Sequence, residues 1–244
     1  MDLLILSTGK MGQKTFELAL EDSFFTKVKG ISSEELHMEE YTQYNVVITF
    51  SRPQAIFKTL DYCIRKNIPL VIGTTNFTND QQNEIYKSSK KIPILQASNM
   101  SIGMNLLFKL AEITAQIIGG QTDIEIIEAH HNQKKDSPSG SAKTLIDFIQ
   151  KGLGYDTKLK HGRVGEEVRE KGEIGVHAIR GGNIVGYHEA QFIGPLETIK
   201  LCHEAHDRGV FASGALTACK FIVNVPPNFY TMEDVFDFTL RKRS

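Results

Sequence analysis

Apolar residues in the first hundred positions fall in short runs, each closed by glycine or small polar residues and followed by a stretch of helical spacing. Asp2 to Leu6, Lys27 to Ile31, Val46 to Phe50, Pro69 to Ile72 and Ile92 to Leu95 read as strands. Helices are expected through Met11, Phe16, Ala19 and Leu20, and through Ile56, Leu60 and Ile64. Pro53 suits the first turn of the second, where its missing donor costs nothing. Thr78 and Gln81 spell a capping box for a third. Strand and helix alternating with loops at matching ends predict a doubly wound parallel sheet.

After Ile102 the pattern changes. A long apolar-faced helix is expected from Ile102 to Ile118, closed by Gly119-Gly120, and then a β-branched run from Ile124 that reads as a buried strand. Ala142, Leu145, Ile146, Ile149 and Leu153 share one helical face; Ser139 or Ser141 can cap that helix, and Gly152 or Gly154 can end it. Gly152 to Gly172 is charged and without period, which predicts a surface excursion. Ile174 to Ile179, Ile184 to Ile193 and Thr198 to His203, separated by turns at Arg180–Asn183 and Gly194-Pro195, read as an antiparallel meander. A last helix, Val210 to Val223, is stopped by Pro226-Pro227. The fold class is thus α/β: a parallel-sheet domain plus a second α+β domain with an open mixed sheet, the boundary falling near residue 102.

Composition narrows the function. With 244 residues, 41% of them hydrophobic, the chain can bury a sizeable core. A formal net charge of -1 offers no basic field for nucleic acid or anionic lipid. Cys63, Cys202 and Cys219 lack the close pairs of a zinc site or disulfide framework. His203-x-x-His206 has no third ligand at suitable spacing, so no metal is expected. Leu3 to Leu6 is too short for a signal core, and no later apolar run approaches the ~18 residues of a span. The expectation is a soluble, cytoplasmic protein.

Candidate chemistry lies in two places. Ser7-Thr8-Gly9-Lys10-Met11-Gly12 joins a strand to a helix in the order of a Rossmann-like dinucleotide fold, with Gly9 and Gly12 in the second and third glycine positions and Ser7 in the first. An ordinary tight turn shares that signature. After the second strand, Ser32 and Ser33 occupy the place of a ribose-binding acid, with Glu34 just beyond; Lys10 stands nearby, so NADPH should be tolerated as well as NADH. The second place runs from Ile124 to Ser141. It passes from a buried strand through His130, His131 and Lys134 to Ser139-Gly140-Ser141 at a helix start, where unpaired N–H groups can hold a carboxylate or phosphate. Taken singly, a Ser-Gly-Ser is a cap, loop lysines are solvated, and adjacent histidines point apart. Their conjunction after a buried strand is what suggests chemistry.

Glu128-Ala129-His130-His131, followed by Lys134, Asp136, Pro138, Ser139 and Gly140, resembles the signature loop of the 4-hydroxy-tetrahydrodipicolinate reductase (dihydrodipicolinate reductase) family. The Gly73-Thr74-Thr75 loop resembles that family's segment along the cofactor ribose and nicotinamide, although Asn76 replaces a glycine common there. Ala97-Ser98-Asn99-Met100 is similar to the loop whose backbone lies beside the nicotinamide amide, with Met100 where many members carry an aromatic. Thr49 stands where the family usually has an acid, and Ser141 where it has threonine. Arg180-Gly181-Gly182 with His188 also resembles a family segment, with a pocket wall or a plain hairpin turn as the two readings.

The resemblance implies NAD(P)H-dependent reduction of 4-hydroxy-tetrahydrodipicolinate, a cyclic dicarboxylate, with loss of water, on the diaminopimelate route to lysine. It implies His130 and Lys134 as catalytic residues and His131, Ser139, Gly140 and Ser141 as substrate ligands. Ser7, Gly9, Lys10, Met11, Gly12, Gly73, Thr74, Thr75, Ala97, Ser98, Asn99 and Met100 would bind NADPH or NADH. It further implies a discontinuous dinucleotide-binding domain (1–101 and 212–244, the tail from Met232 to Leu240 packing on it), a substrate-binding and oligomerisation domain (102–211), and a homotetramer. The alternatives are another two-domain Rossmann dehydrogenase and a non-catalytic dinucleotide-binding regulator.

Overall fold

The computed structural model describes residues 1–7, 9–39 and 42–236, so the expectation for the tail falls in part, at 237–240, outside the described residues. The chain forms two compact units, one of Met1–Ile102 with the segment from Arg208, the other Gly103–Asp207.

In the first unit β1 (Asp2–Leu6), α1 (Lys10–Glu21), β2 (Lys27–Ile31), β3 (Val46–Thr49), α2 (Ile56–Lys66), β4 (Leu70–Ile72), α3 (Asn79–Ser88) and β5 (Ile94–Gln96) follow in order. Their sheet runs β2-β1-β3-β4-β5 with every pairing parallel. β3 and β4 are buried along their whole length, as a parallel sheet covered on both faces requires. Leu3, Ile5, Val46 and Ile48 face one core, and Leu4, Leu6, Val47 and Leu70 face another that contains Ile56, Leu60 and Ile85 of α2 and α3. The predicted capping box of α3 is formed in both directions by Thr78 and Gln81.

In the second unit α4 (Ile102–Ile118), β6 (Asp123–His130), α5 (Gly140–Leu153), β7 (Leu159–His161), β8 (Ile174–Arg180), β9 (Gly186–Ile193) and β10 (Thr198–Ala205) build a mixed sheet of order β10-β9-β6-β8-β7. The chain then returns to the first unit through α6 (Gly209–Ile222), β11 (Phe229–Tyr230), which pairs in parallel with β5, and α7 (Met232–Val235). Ala215, Leu216, Ala218, Cys219 and Ile222 of α6 complete the core that holds Leu3 and Ile5.

Three expectations change. β8 and β9 are not a hairpin: β6 lies between them, parallel to β8 and antiparallel to β9. A strand as buried as β6 needs partners on both edges, and the five residues 181–185 can cross the roughly 10 Å between its two neighbours. The charged excursion after α5 contains a strand, β7, paired with β8. Lastly, Ile102–Gln121 does reach the length and hydropathy of a membrane span. It carries Asn105, Lys109, Glu112 and Gln116, and Met104, Leu107, Phe108, Ala111 and Ala115 pack into the core with β6 and α5. That amphipathic arrangement is the one expected of a core helix.

Candidate active site

The nucleotide-side residues gather in the first unit at the carboxyl ends of its strands. β1 is flanked by β2 and β3, so strand order reverses there, and the crevice at such a switch point is where an α/β sheet takes a ligand. A cavity of about 420 Å³ opens at that place, lined by Ser7 and Gly9 after β1, Ser32, Ser33 and Glu34 after β2, and Phe50, Ser51 and Arg52 after β3. Gly9 stands at the N-cap of α1 in extended conformation and, among the described residues, no side-chain cap is made there. The first N–H groups of α1 therefore remain available to an anion such as a pyrophosphate.

Gly12 shows why the third glycine matters, because a Cβ there would lie 2.5 Å from Ser7 Cβ and 2.7 Å from Ser7 O. Ser7 replaces the first glycine without loss of the turn, since its Oγ accepts the Gly9 N–H at 3.2 Å. These features fit a dinucleotide. Glu35 folds back to accept the Ser32 N–H at 2.8 Å, which with further contact to Ser32 holds its carboxyl below the usual range. Glu34 and Arg52 both line the cavity, so beside Ser32 and Ser33 it carries a carboxylate and a guanidinium rather than hydroxyls alone.

Of the other nucleotide candidates, Thr74 is buried and donates to Ser51 O at 2.9 Å, while Thr75 is exposed beside it. Asn76 takes φ +62°, a left-handed position that asparagine tolerates and that explains a glycine elsewhere. A Cβ on Gly73 would meet the Phe50 ring at 2.4 Å. Asn99 Oδ1 accepts the Ser101 N–H at 2.9 Å and shapes the loop after β5. The Met100 side chain lies in the hydrophobic core, leaving its backbone for any contact with a cofactor. Lys10 is exposed and Met11 half-buried in the first turn of α1; Ala97 is half-buried and Ser98 exposed in the loop after β5.

In the second unit the proton-bearing residues collect where β6 and β8 end. Strand alternation puts Glu128 and His130 on the face that packs on α4 and α5, and register brings His188 of β9 opposite Glu128 and Arg180 of β8 opposite His130. The fully buried Glu128 carboxylate accepts His130 Nδ1 at 2.6 Å, Arg180 Nη1 and Nη2 at 2.9 and 2.7 Å, and the Ser139 N–H at 3.1 Å. Burial alone would raise its pKa, but the hydrogen bonds and charges of His130 and Arg180 outweigh it and hold the group at about 2.

Lys134 Nζ pairs with Asp136 at 2.8 Å, and Arg180 Nη2 also donates to the Asp136 carbonyl at 2.7 Å. Burial opposes ionisation of Asp136, yet the Lys134 hydrogen bond and charge keep its carboxyl below the usual range. Ser139 caps α5, its Oγ accepting the Ala142 N–H at 3.1 Å and lying 3.2 Å from His188 Nε2. Its amide and hydroxyl are thus engaged within the protein. Gly140 and Ser141 form the first turn of α5, the positive end of its dipole. His131 follows one residue past β6, half-exposed. His188 is buried beside His130, with ring centroids 5.1 Å apart, and burial together with the His130 charge lowers its pKa to about 3.

The structure gathers His130, Lys134 and Ser139, all three expected from the sequence, around Glu128 and Arg180. Sequence reasoning did not assign Glu128, and it left Arg180 and His188 open. The period-2 spacing of Glu128 and His130 along a buried strand was the signal for the first.

Family models match both parts of the chain: dihydrodipicolinate reductase, N-terminus, over residues 3–100 and dihydrodipicolinate reductase, C-terminus, over 103–236. A 4-hydroxy-tetrahydrodipicolinate reductase of Alkaliphilus oremlandii is 56% identical over 97% of this chain and 99% of its own length. The enzyme of that name from Alkaliphilus metalliredigens is 51% identical over 98% of this chain and 100% of its own. Among solved structures, a dipicolinate-bound dihydrodipicolinate reductase from Paenisporosarcina sp. TG-14 shares the fold, with TM-score 0.77 and 22% identity over 97% of this chain and 99% of that one.

Proposed function

The chain belongs to the dihydrodipicolinate reductase family and catalyses the NAD(P)H-dependent reduction of 4-hydroxy-tetrahydrodipicolinate in the diaminopimelate route to lysine; we propose that Lys134 and His130 carry its proton steps. The overall change adds one hydride and one proton to the substrate and removes its hydroxyl, together with one of its own hydrogens, as water. When bound, the reduced nicotinamide supplies the hydride. The chain must then deliver a proton where electron density builds up and assist departure of the hydroxyl. A cationic donor placed in advance lowers both barriers.

Lys134 is the principal donor, its ammonium oriented by Asp136. His130 is the second acid or base. The observation that carries this reading is their common anchor, the Arg180 guanidinium, which bonds both Glu128 beside His130 and the main chain at Asp136 beside Lys134. The cyclic dicarboxylate is held by His131 and by the Gly140 and Ser141 amides at the start of α5, while Ser139 supports them from behind as cap. A dicarboxylate ligand agrees with the dipicolinate named in the Paenisporosarcina structure.

The first unit binds NADH or NADPH through the turn from Ser7 to Gly12, the Gly73 to Thr75 loop and the Ala97 to Met100 loop. The second unit binds substrate and joins copies of the chain in a homotetramer in the cytoplasm. What supports assembly is a sheet face, opposite α4 and α5, that presents Ile127, Ile179 and Tyr187.

Lys134→Ala and His130→Ala are each expected to lower kcat by about two orders of magnitude or more, the scale of lost acid catalysis, while nucleotide affinity stays near wild type. Steady-state assays with the synthase product and fluorescence titration of nucleotide check this. Undiminished turnover in Lys134→Ala would remove the proposed donor.

A further inference from the structure

We propose that Glu128 is a positioning residue for the reduction: its buried carboxylate fixes His130 in the tautomer that carries the proton on Nδ1, so that Nε2 is the atom that exchanges protons. This rests on the reading of His130 as an acid or base.

A carboxylate so fully charged can only accept, so the 2.6 Å contact to His130 Nδ1 makes that nitrogen the donor. The other oxygen and the remaining lone pairs are occupied by Arg180 and the Ser139 N–H. With donors fixed on β8 and at the start of α5, the carboxylate has no freedom to rotate. Its orientation sets that of the imidazole two residues along the same strand.

Gly186 completes the arrangement on the other side of the ring. A Cβ there would stand 3.4 Å from His130 Nε2 and 3.7 Å from Cδ2, so at this position no side chain is laid over that edge of the ring. The Arg180 guanidinium extends the same device to the loop. By bonding Glu128 and the Asp136 carbonyl together, it keeps the His130 and Lys134 supports in a fixed relation.

Glu128→Gln is the informative change. Ser139 N–H and Arg180 Nη2 share one carboxylate oxygen, so the glutamine oxygen takes that place, and its NH2 faces His130 together with Arg180 Nη1. Nδ1 must then accept, and the proton moves to Nε2, the wrong tautomer for the step. Loss of a tautomer-fixing carboxylate lowers turnover by up to ~10⁴-fold in a comparable dyad. A fall in kcat of at least about 100-fold is expected here, with KM near wild type. In Glu128→Gln/His130→Ala the loss should equal that of His130→Ala alone, because both changes remove one function.

Losses that multiply in the double variant, or a fast Glu128→Gln beside a slow His130→Ala, overturn the proposal and leave the acid role of His130 intact. A wild-type rate in His130→Ala removes that role and the proposal together. Should Glu128→Gln fail to fold, ¹⁵N-histidine spectra of the wild-type protein at alkaline pH decide: a protonated Nδ1 on His130 supports the proposal, and a protonated Nε2 overturns it.

Discussion

At the scale of single residues, Ser7 and Gly12 show how a degenerate motif keeps its close packing. The glycine that matters most sterically is retained: a Cβ on Gly12 would sit 2.6 Å from Ser7 Oγ as well as against its backbone. Gly12→Ala is therefore expected to push α1 away from β1, at a cost of about 1–3 kcal/mol typical of overpacking, and to weaken nucleotide binding. Thermal denaturation and nucleotide titration measure the two effects; an unchanged Tm with unchanged affinity would mean the turn yields more easily than its packing implies. Residues that carry shape by their own type, such as Gly12 and Thr78, were legible in the sequence. Glu128, Arg180 and His188 were not assigned a role, because what they do depends on partners up to 52 positions away that only strand register brings together.

At the scale of elements, periodicity located most strands and helices to within a few residues, missing the short β7, β11 and α7, and could not order the strands in a sheet. The turn at Arg180–Asn183 has the composition of a hairpin, yet the burial of β6 demands two edges and inserts that strand between β8 and β9. The consequence is chemical. Three strand segments bring Glu128, Arg180 and His188 together, and two of these groups make the unit sensitive to acid. Glu128 is held at about 2 against an ordinary 4.5, so its contribution is complete above the unfolded value and is lost as pH falls from 4.5 toward 2. His188, lowered from 6.5 to about 3 by burial, stays neutral in the folded unit while the unfolded chain takes up a proton, so it also loses stability as pH falls, from 6.5 toward 3. Tm followed from pH 7 to pH 3 should fall across this range. Glu128→Gln, though less stable at neutral pH, should show a flatter dependence below pH 4.5; equal slopes in both proteins would assign the acid sensitivity elsewhere.

At the scale of the whole molecule, the two units use their sheets differently, and that difference bears on assembly. The parallel sheet of the first unit is covered on both faces, by α1 and α6 on one side and α2 and α3 on the other. The mixed sheet of the second unit has α4 and α5 packed on one face. Its opposite face bears Ile179, 51% exposed, and Glu189, only 8% exposed and satisfied by Tyr187, Gln191 and Lys200. A sheet face on which polar groups are already paired internally, interspersed with exposed isoleucine, suits burial against another protein surface better than contact with water. Four copies joined through this face are expected by sedimentation equilibrium at micromolar concentration. Ile179→Lys, which places a charge in that face, should shift the population to smaller species while nucleotide affinity, a property of the first unit, is retained. A wild-type protein that sediments as a monomer would sink the assembly, and an Ile179→Lys protein that stays tetrameric would move the interface to another surface.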